Sequence, residues 1–308
     1  MGIKVQDVAF VRFRAPDLDA MEGFLIDFGM VRADRTKDTL YMRGTDGDPF
    51  VHVTHRGEAG FAGVAFEAAS PADLETIARG DGASIEQLEG PGRGSVVKLT
   101  APDGFAVEVV AGREQAAPII VPRAVLSNNS YETPRLNALK RIERGPAHVK
   151  RLGHCVFNVS DFRQTEAWYK SHFGLITSDE IFPDDKPSAV LGAFLRCDRG
   201  ATPSDHHTLF LIGRGKPAFN HAAFEVADYD DLMKGNAWLE EKQRRHQWGV
   251  GRHVLGSQIF DYWRDPWGHT VEHWTDGDLL NAEWGSRRTS MKEMMGVQWG
   301  PLPPPMLG

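Results

Sequence analysis

Three side chains able to hold a cation or move a proton are evenly spaced late in the chain. His253 follows Gly251-Arg252, Tyr262 comes next, and Glu272 stands just after a tight Asp265-Pro266-Trp267-Gly268 turn. Apolar alternation around Glu272 predicts a strand, so Val271 and His273 face away from whatever Glu272 faces. A lone glutamate between apolar neighbours is either a salt-bridged edge residue or a metal ligand. The rest of the chain must decide between them.

The elements that would position these groups occur twice. Asp17 caps an amphipathic segment with Leu18, Met21, Leu25 and Phe28 on one face and Gly29 as its stop. Asp161-Phe162 opens a similar helix running through Trp168-Tyr169 to Phe173-Gly174-Leu175, and a short alternating strand precedes each one (Val8 to Phe13, Leu152 to Val159). Phe61-Ala62-Gly63-Val64-Ala65-Phe66-Glu67 matches Phe219-Asn220-His221-Ala222-Ala223-Phe224-Glu225. Helices are predicted next, from Ser70-Pro71 and from Asp228-Tyr229. Ala101-Pro102-Asp103-Gly104-Phe105-Ala106-Val107-Glu108 matches Asp265 to Glu272. The chain is therefore read as two similar halves, each made of two strand-helix-strands units.

What differs between the halves points to chemistry. Phe10 stands where the later half has His154, Gly63 stands where it has His221, and Glu108 is the counterpart of Glu272. Two neutral imidazoles and one carboxylate, with further positions open, suit Fe(II) or Mn(II) handling a chelating ligand and dioxygen. Such a centre keeps one net positive charge, which favours an anionic chelator. Taken singly, His154 and His221 read as hydrogen-bonded core histidines. Ligand-type residues at equivalent places, two of them absent from the sister half, are hard to explain as packing. Cys155 faces the opposite side of its strand from His154 and reads as a core thiol, while His172, His269 and His273 read as core or surface residues.

With these residues in view, residues 5–285 resemble the two-domain type I extradiol ring-cleavage dioxygenases of the vicinal oxygen chelate superfamily. The resemblance rests on Gly251, His253, Tyr262, Asp265, Pro266, Gly268 and Glu272, with Asp261 departing where an apolar residue is usual. Alternation turns Asp261 away from the side of Tyr262, so that departure touches packing more than chemistry. The resemblance implies His154, His221 and Glu272 as metal ligands, with His253 and Tyr262 hydrogen-bonding the substrate oxygen. It also implies an acid/base histidine upstream of His221. Asp205-His206-His207-Thr208-Leu209 offers two candidates, of which one can point at the metal. Spacing and the following Thr-Leu favour His207, with His206 as the fallback. Imidazole suits the task, because a diol must lose protons to chelate and ring opening must return one. His246, among charged neighbours, reads as a loop residue outside the site.

The implied fold is α+β, with four βαβββ modules in two glyoxalase/bleomycin-resistance-like domains. The expected boundaries are an N-terminal domain 1–121 with a vestigial metal site, a connector 122–150, and a catalytic domain 151–275. A tail 276–308, rich in Trp, Met and Pro, would follow as a lid over the site. A short helix is expected in the connector around Leu136 to Arg144. Trp248, Trp274 and Trp284 are candidates for an aromatic pocket, and Arg287 or Arg288 for meeting a substrate carboxylate. The implied reaction inserts both atoms of O2 into a catechol-type diol, with Fe(II), or Mn(II), as cofactor and a homo-oligomer as the assembly. The alternatives are a metal-dependent isomerase, epimerase or thiol transferase of the same fold, or a non-catalytic binding protein.

Bulk properties agree with a globular enzyme. The 308 residues are 41% hydrophobic and 25% charged, with a net charge of -7 and a pI near 5.9. That balance argues against a nucleic-acid surface. No apolar run approaches a membrane span, no secretory pattern opens the chain, and two cysteines imply no disulfide framework. The expected location is the cytoplasm.

Overall fold

A computed structural model describes residues 2–122 and 126–304. Residues 123–125 of the connector and 305–308 of the tail lie outside the described residues. The N-terminal half runs β1 (Val5–Ala15), α1 (Leu18–Asp27), β2 (Val31–Arg35), β3 (Thr39–Arg43), β4 (His52–Arg56) and β5 (Gly60–Ala68). It continues with α2 (Pro71–Asp81), β6 (Ile85–Gln87), β7 (Ser95–Thr100) and β8 (Ala106–Ala111). Its eight strands form one sheet in the order β2-β3-β4-β1-β5-β8-β7-β6. Two βαβββ modules therefore meet where β1 and β5 pair antiparallel.

The later half repeats this plan. It runs β9 (Val149–Val159), α3 (Phe162–Phe173), β10 (Ile176–Phe182), β11 (Gly192–Arg196), β12 (Ser204–Asp205) and β13 (Leu209–Gly213). Then come β14 (Ala218–Val226), α4 (Tyr229–Glu241), β15 (Arg245–His253), β16 (Ile259–Arg264) and β17 (Thr270–Thr275). The fold is α+β, with four βαβββ modules in two sheet-rich units. Aspartate caps start α1, α3 and α4: Asp17 accepts from the backbone of Asp19 and Ala20, Asp161 from Gln164, and Asp228 from Asp231.

The tail is more ordered than its sequence suggests. It adds β18 (Leu279–Leu280), β19 (Arg287–Ser290), α5 (Met291–Met294) and β20 (Val297–Trp299). Strands β19 and β20 extend the two edges of the second sheet, against β10 and β15. Backbone pairing along existing edges carries no apolar period, which is why the pattern was silent. The connector differs in the other direction: no helix forms around Leu136 to Arg144. Leu136, Leu139 and Ile142 are exposed, so no buried stripe is present to stabilise a segment too short to be helical alone.

The two halves pack through equivalent residues. Phe61 stacks on its counterpart Phe219 with ring centroids 4.4 Å apart, flanked by Phe13 on Phe219 at 5.3 Å and Phe61 on Phe157 at 5.4 Å. Phe28 packs on Phe224 and Phe173 on Phe66 in the same reciprocal way. His273 belongs to this interface: its ring stacks on Phe28 at 3.8 Å and its Nε2 bonds the Phe28 carbonyl at 2.7 Å. Gly29, at φ +103°, is required where the first half meets the end of the connector, because a Cβ there would lie 2.2 Å from the Ala147 carbonyl oxygen. No helix among the described residues is long and apolar enough to cross a membrane.

Asp261 is fully buried. It accepts hydrogen bonds from Trp263 Nε1 at 2.6 Å and Asn236 Nδ2 at 3.2 Å, and meets His246 Nε2 at 2.8 Å. His246 therefore lies on strand β15, not in a loop. Its charged neighbours hid the carboxylate it serves on the adjacent strand.

Two outcomes follow from this packing. Phe13→Ala removes a ring 1% exposed at the centre of the interface and should cost about 3–5 kcal/mol in urea titrations. His246 is held above its ordinary pKa by the Asp261 hydrogen bond. Its stabilising contribution is thus complete below about pH 6.5 and is lost as pH rises through the raised folded-state value. His246→Phe should flatten that part of a stability-versus-pH curve.

Candidate metal centre

Five neighbouring strands of the second sheet, in the order β9-β14-β17-β16-β15, and the segment leading into β13 each deliver one polar side chain to the same side. His207 precedes β13, His154 sits on β9, His221 on β14, Glu272 on β17, Tyr262 on β16 and His253 at the end of β15. Pairing sets their alignment: Ala223 lies beside both His154 and Glu272, and Tyr262 lies directly opposite Glu272. Because side chains alternate with period two, these registers leave the groups on one side, with Val271 and His273 on the other.

One donor atom from each of His154, His221 and Glu272 lies within 4.8 Å of the others. His154 Nε2 is 3.3 Å and His221 Nε2 3.2 Å from the same oxygen, Glu272 Oε2. Both Glu272 oxygens are nonetheless buried without a hydrogen-bond partner at acceptable angles, and so is His154 Nδ1. Donors each about 2.1 Å from one ion at right angles would stand about 3 Å apart, so the spacing fits a shared cation. Burial pushes the Glu272 carboxyl up, but the three facing imidazoles more than offset it and hold it well below the ordinary carboxylate range. Burial lowers the His154 pKa. An ionised carboxylate beside a neutral imidazole is the protonation state that a metal requires.

The sister half supplies an internal control. Ala65 pairs with both Phe10 and Glu108, in the register that Ala223 keeps with His154 and Glu272. There the Arg12 guanidinium grips both Glu108 oxygens, at 2.8 and 3.0 Å. One half therefore satisfies its buried carboxylate with a built-in cation. The other has Val156 at the place of Arg12, and its carboxylate is left facing the imidazoles of His154, His221 and His253.

Around the triad, His253 Nε2 and the Tyr262 hydroxyl share a 3.0 Å hydrogen bond. Burial, reinforced by Glu272, keeps the Tyr262 phenol protonated far above its usual range. The His207 ring packs at a tilt against His154 with centroids 4.0 Å apart and lines the cavity. His206 points the other way, with Nε2 2.7 Å from Asp179. His221 Nδ1 bonds Asn220 Oδ1 at 2.8 Å, which turns Nε2 towards Glu272. Asn220 and Asp179 were missed in the sequence: a neighbour's supporting bond and a distant strand's carboxylate leave no periodic signal.

The cavity spans about 760 Å3 with its open mouth included. Beyond the polar cluster it is walled by Val156, Phe194, Phe210, Ile212, Leu255 and Met294. Of the tryptophans, Trp248 lines it, Trp274 is buried behind His154 and Trp284 is half exposed. Arg287 and Arg288 lie exposed on the outer strand β19, away from it.

Loading the site should raise the melting temperature, because a ligand at a hundred times its Kd adds about 2.7 kcal/mol of stability. Anaerobic calorimetry with Fe(II) or Mn(II) should show this shift for the wild type and lose it in Glu272→Gln. An equal shift in the variant would exclude the carboxylate as a ligand.

Residues 151–273 match the family model described as Glyoxalase/Bleomycin resistance protein/Dioxygenase superfamily. The chain is 27% identical over 301 residues to Metapyrocatechase 2 of Cupriavidus necator, covering 96% of this chain and 89% of that one. It is 24% identical over 310 residues to an iron-dependent extradiol dioxygenase of Rhodococcus jostii (strain RHA1), covering 96% and 97%. Among solved structures it is similar to the Mn(II)-bound glyoxalase from Novosphingobium aromaticivorans, with a TM-score of 0.78, 21% identity and coverage of 96% and 91%. The later half thus matches the glyoxalase/bleomycin-resistance/dioxygenase family model, and the chain is similar along nearly its whole length to a metapyrocatechase and to an iron-dependent extradiol dioxygenase.

Proposed function

We propose that the protein is an Fe(II)-dependent extradiol dioxygenase, with Mn(II) as the alternative metal. It would insert both atoms of O2 into a catechol-type diol and open the ring beside the two hydroxyls. The observation that carries this reading is the buried Glu272 carboxylate, bare of hydrogen bonds, between two imidazole nitrogens. Full-length likeness to a metapyrocatechase and to an iron-dependent extradiol dioxygenase supports the reaction class.

His154, His221 and Glu272 would hold the metal. A divalent iron there would acidify the diol and conduct electron density from it to dioxygen. The protein's own groups do the rest. Tyr262, kept protonated, donates to the substrate oxygen, together with His253 beside it. His207, on the opposite wall and neutral because burial holds its pKa well down, accepts a proton from the incoming diol and returns one at ring opening. Apolar walls keep water from the ring and favour a diol bearing an apolar arm. The N-terminal half, with Arg12 on Glu108, binds no metal in this reading. The tail helix α5, whose Met294 lines the cavity, closes it. We place the enzyme in the cytoplasm as a homo-oligomer.

A second reading, suggested by the manganese glyoxalase likeness, is a metal-dependent isomerase, epimerase or thiol transferase. The His253–Tyr262 pair favours ring cleavage, because those reactions do not require it. The deciding experiment adds anaerobically reconstituted Fe(II) protein to catechols in air. A yellow ring-fission product formed with one O2 per diol is expected, and Tyr262→Phe should lower kcat about 100-fold. No oxygen uptake with any of a panel of substituted catechols would overturn the assignment.

A further inference from the structure

Behind the cavity wall lies a polar chain that the proposed chemistry does not yet use. Asp179 Oδ2 meets His206 Nε2 at 2.7 Å, and His206 Nδ1 meets His207 Nδ1 at 3.2 Å. All three residues are buried, between 4% and 5% exposed. The His206 ring is clamped between Phe194 and the backbone of Gly256, where a Cβ would press 3.1 Å from its Nδ1. Its backbone is pinned as well: the carbonyl accepts from Ser178 Oγ at 2.5 Å, and Ser178 in turn accepts from Arg196 at 2.9 Å.

Donor and acceptor roles along this chain follow from elementary rules. A carboxylate only accepts, so His206 must present N–H at Nε2 to Asp179. In a neutral ring that leaves Nδ1 of His206 as an acceptor, and it therefore takes the Nδ1 proton of His207. His207 is then left with a bare Nε2, which makes no hydrogen bond among the described residues. A proton acceptor is what the diol needs.

We infer that Asp179 and His206 are positioning residues that fix the tautomer of His207, so that its unprotonated Nε2 is the atom offered to the substrate. The inference rests on the dioxygenase reading for its consequence but not for its geometry. His206 touches neither the substrate cavity nor a proposed ligand and acts only through its neighbour.

Two measurements test it. Long-range proton–nitrogen correlation on 15N-histidine protein, metal-free and loaded with diamagnetic Zn(II), should show His207 protonated at Nδ1 and His206 at Nε2 alone. A doubly protonated His206, or a His207 carrying its proton at Nε2, would overturn the assignment. In turnover with Fe(II), His206→Leu should lower kcat about tenfold and leave KM within about twofold, because only the competent tautomer fraction falls. His206→Asn keeps an acceptor oxygen at the δ position and should recover kcat to within about threefold of wild type. Equal kcat in the Leu and Asn variants would reduce His206 to a packing role. If the wild type cleaves no diol, the reaction assignment fails, while the nitrogen spectra still decide the tautomer.

Discussion

A buried negative charge must be answered by a positive one, and the second sheet is organised around that demand. Glu272 is fully buried with neither oxygen hydrogen-bonded. Leaving such a carboxylate unpaired costs several kcal/mol. At the equivalent place in the first sheet the demand is met within the chain, by Arg12 on Glu108. The same register thus carries two arrangements, a carboxylate closed by a guanidinium in one half and a carboxylate facing two imidazole donors, open to a shared cation, in the other. Replacing Phe10 by a histidine would not by itself recreate the second arrangement, since Arg12 would still fill the space.

The duplication also explains how the molecule is held together. Each sheet uses one face for its polar groups and must bury the other. The halves bury those faces against each other through reciprocal aromatic contacts, Phe13 with Phe219 and Phe61 with Phe157. His273 ties site and interface together, because it neighbours Glu272 on β17 while its ring stacks on Phe28 of the other half. The first half therefore matters to the site: it braces the strand that carries the carboxylate.

Around the donors, the supporting bonds decide which ring nitrogen faces inward. Asn220 takes one nitrogen of His221, and His206, backed by Asp179, takes one nitrogen of His207. Tyr262 is fixed differently, by burial and by Glu272, which keep its proton on. Such pre-ordering lowers the reorganisation needed when a substrate arrives.

Much of this was readable along the chain. Alternation assigned Glu272 and His273 to opposite faces, aspartate caps marked three of the helices, and comparing the halves singled out His154 and His221 as absent from the first half, beside a carboxylate, Glu272, that both halves keep. Those features are local or periodic, so sequence alone determines them. The pairing of Arg12 with Glu108, the service of His246 and Asp179 to distant groups, the edge strands of the tail and the unwound segment around Leu136 were settled only in three dimensions. Period two tells which face a side chain takes, but not how far the sheet curves or which long side chain crosses to meet it. The choice between His206 and His207 shows the limit: they lie in the bend between β12 and β13, where strand alternation does not apply, and only the fold sets His207 against His154 and His206 against the Asp179 carboxylate.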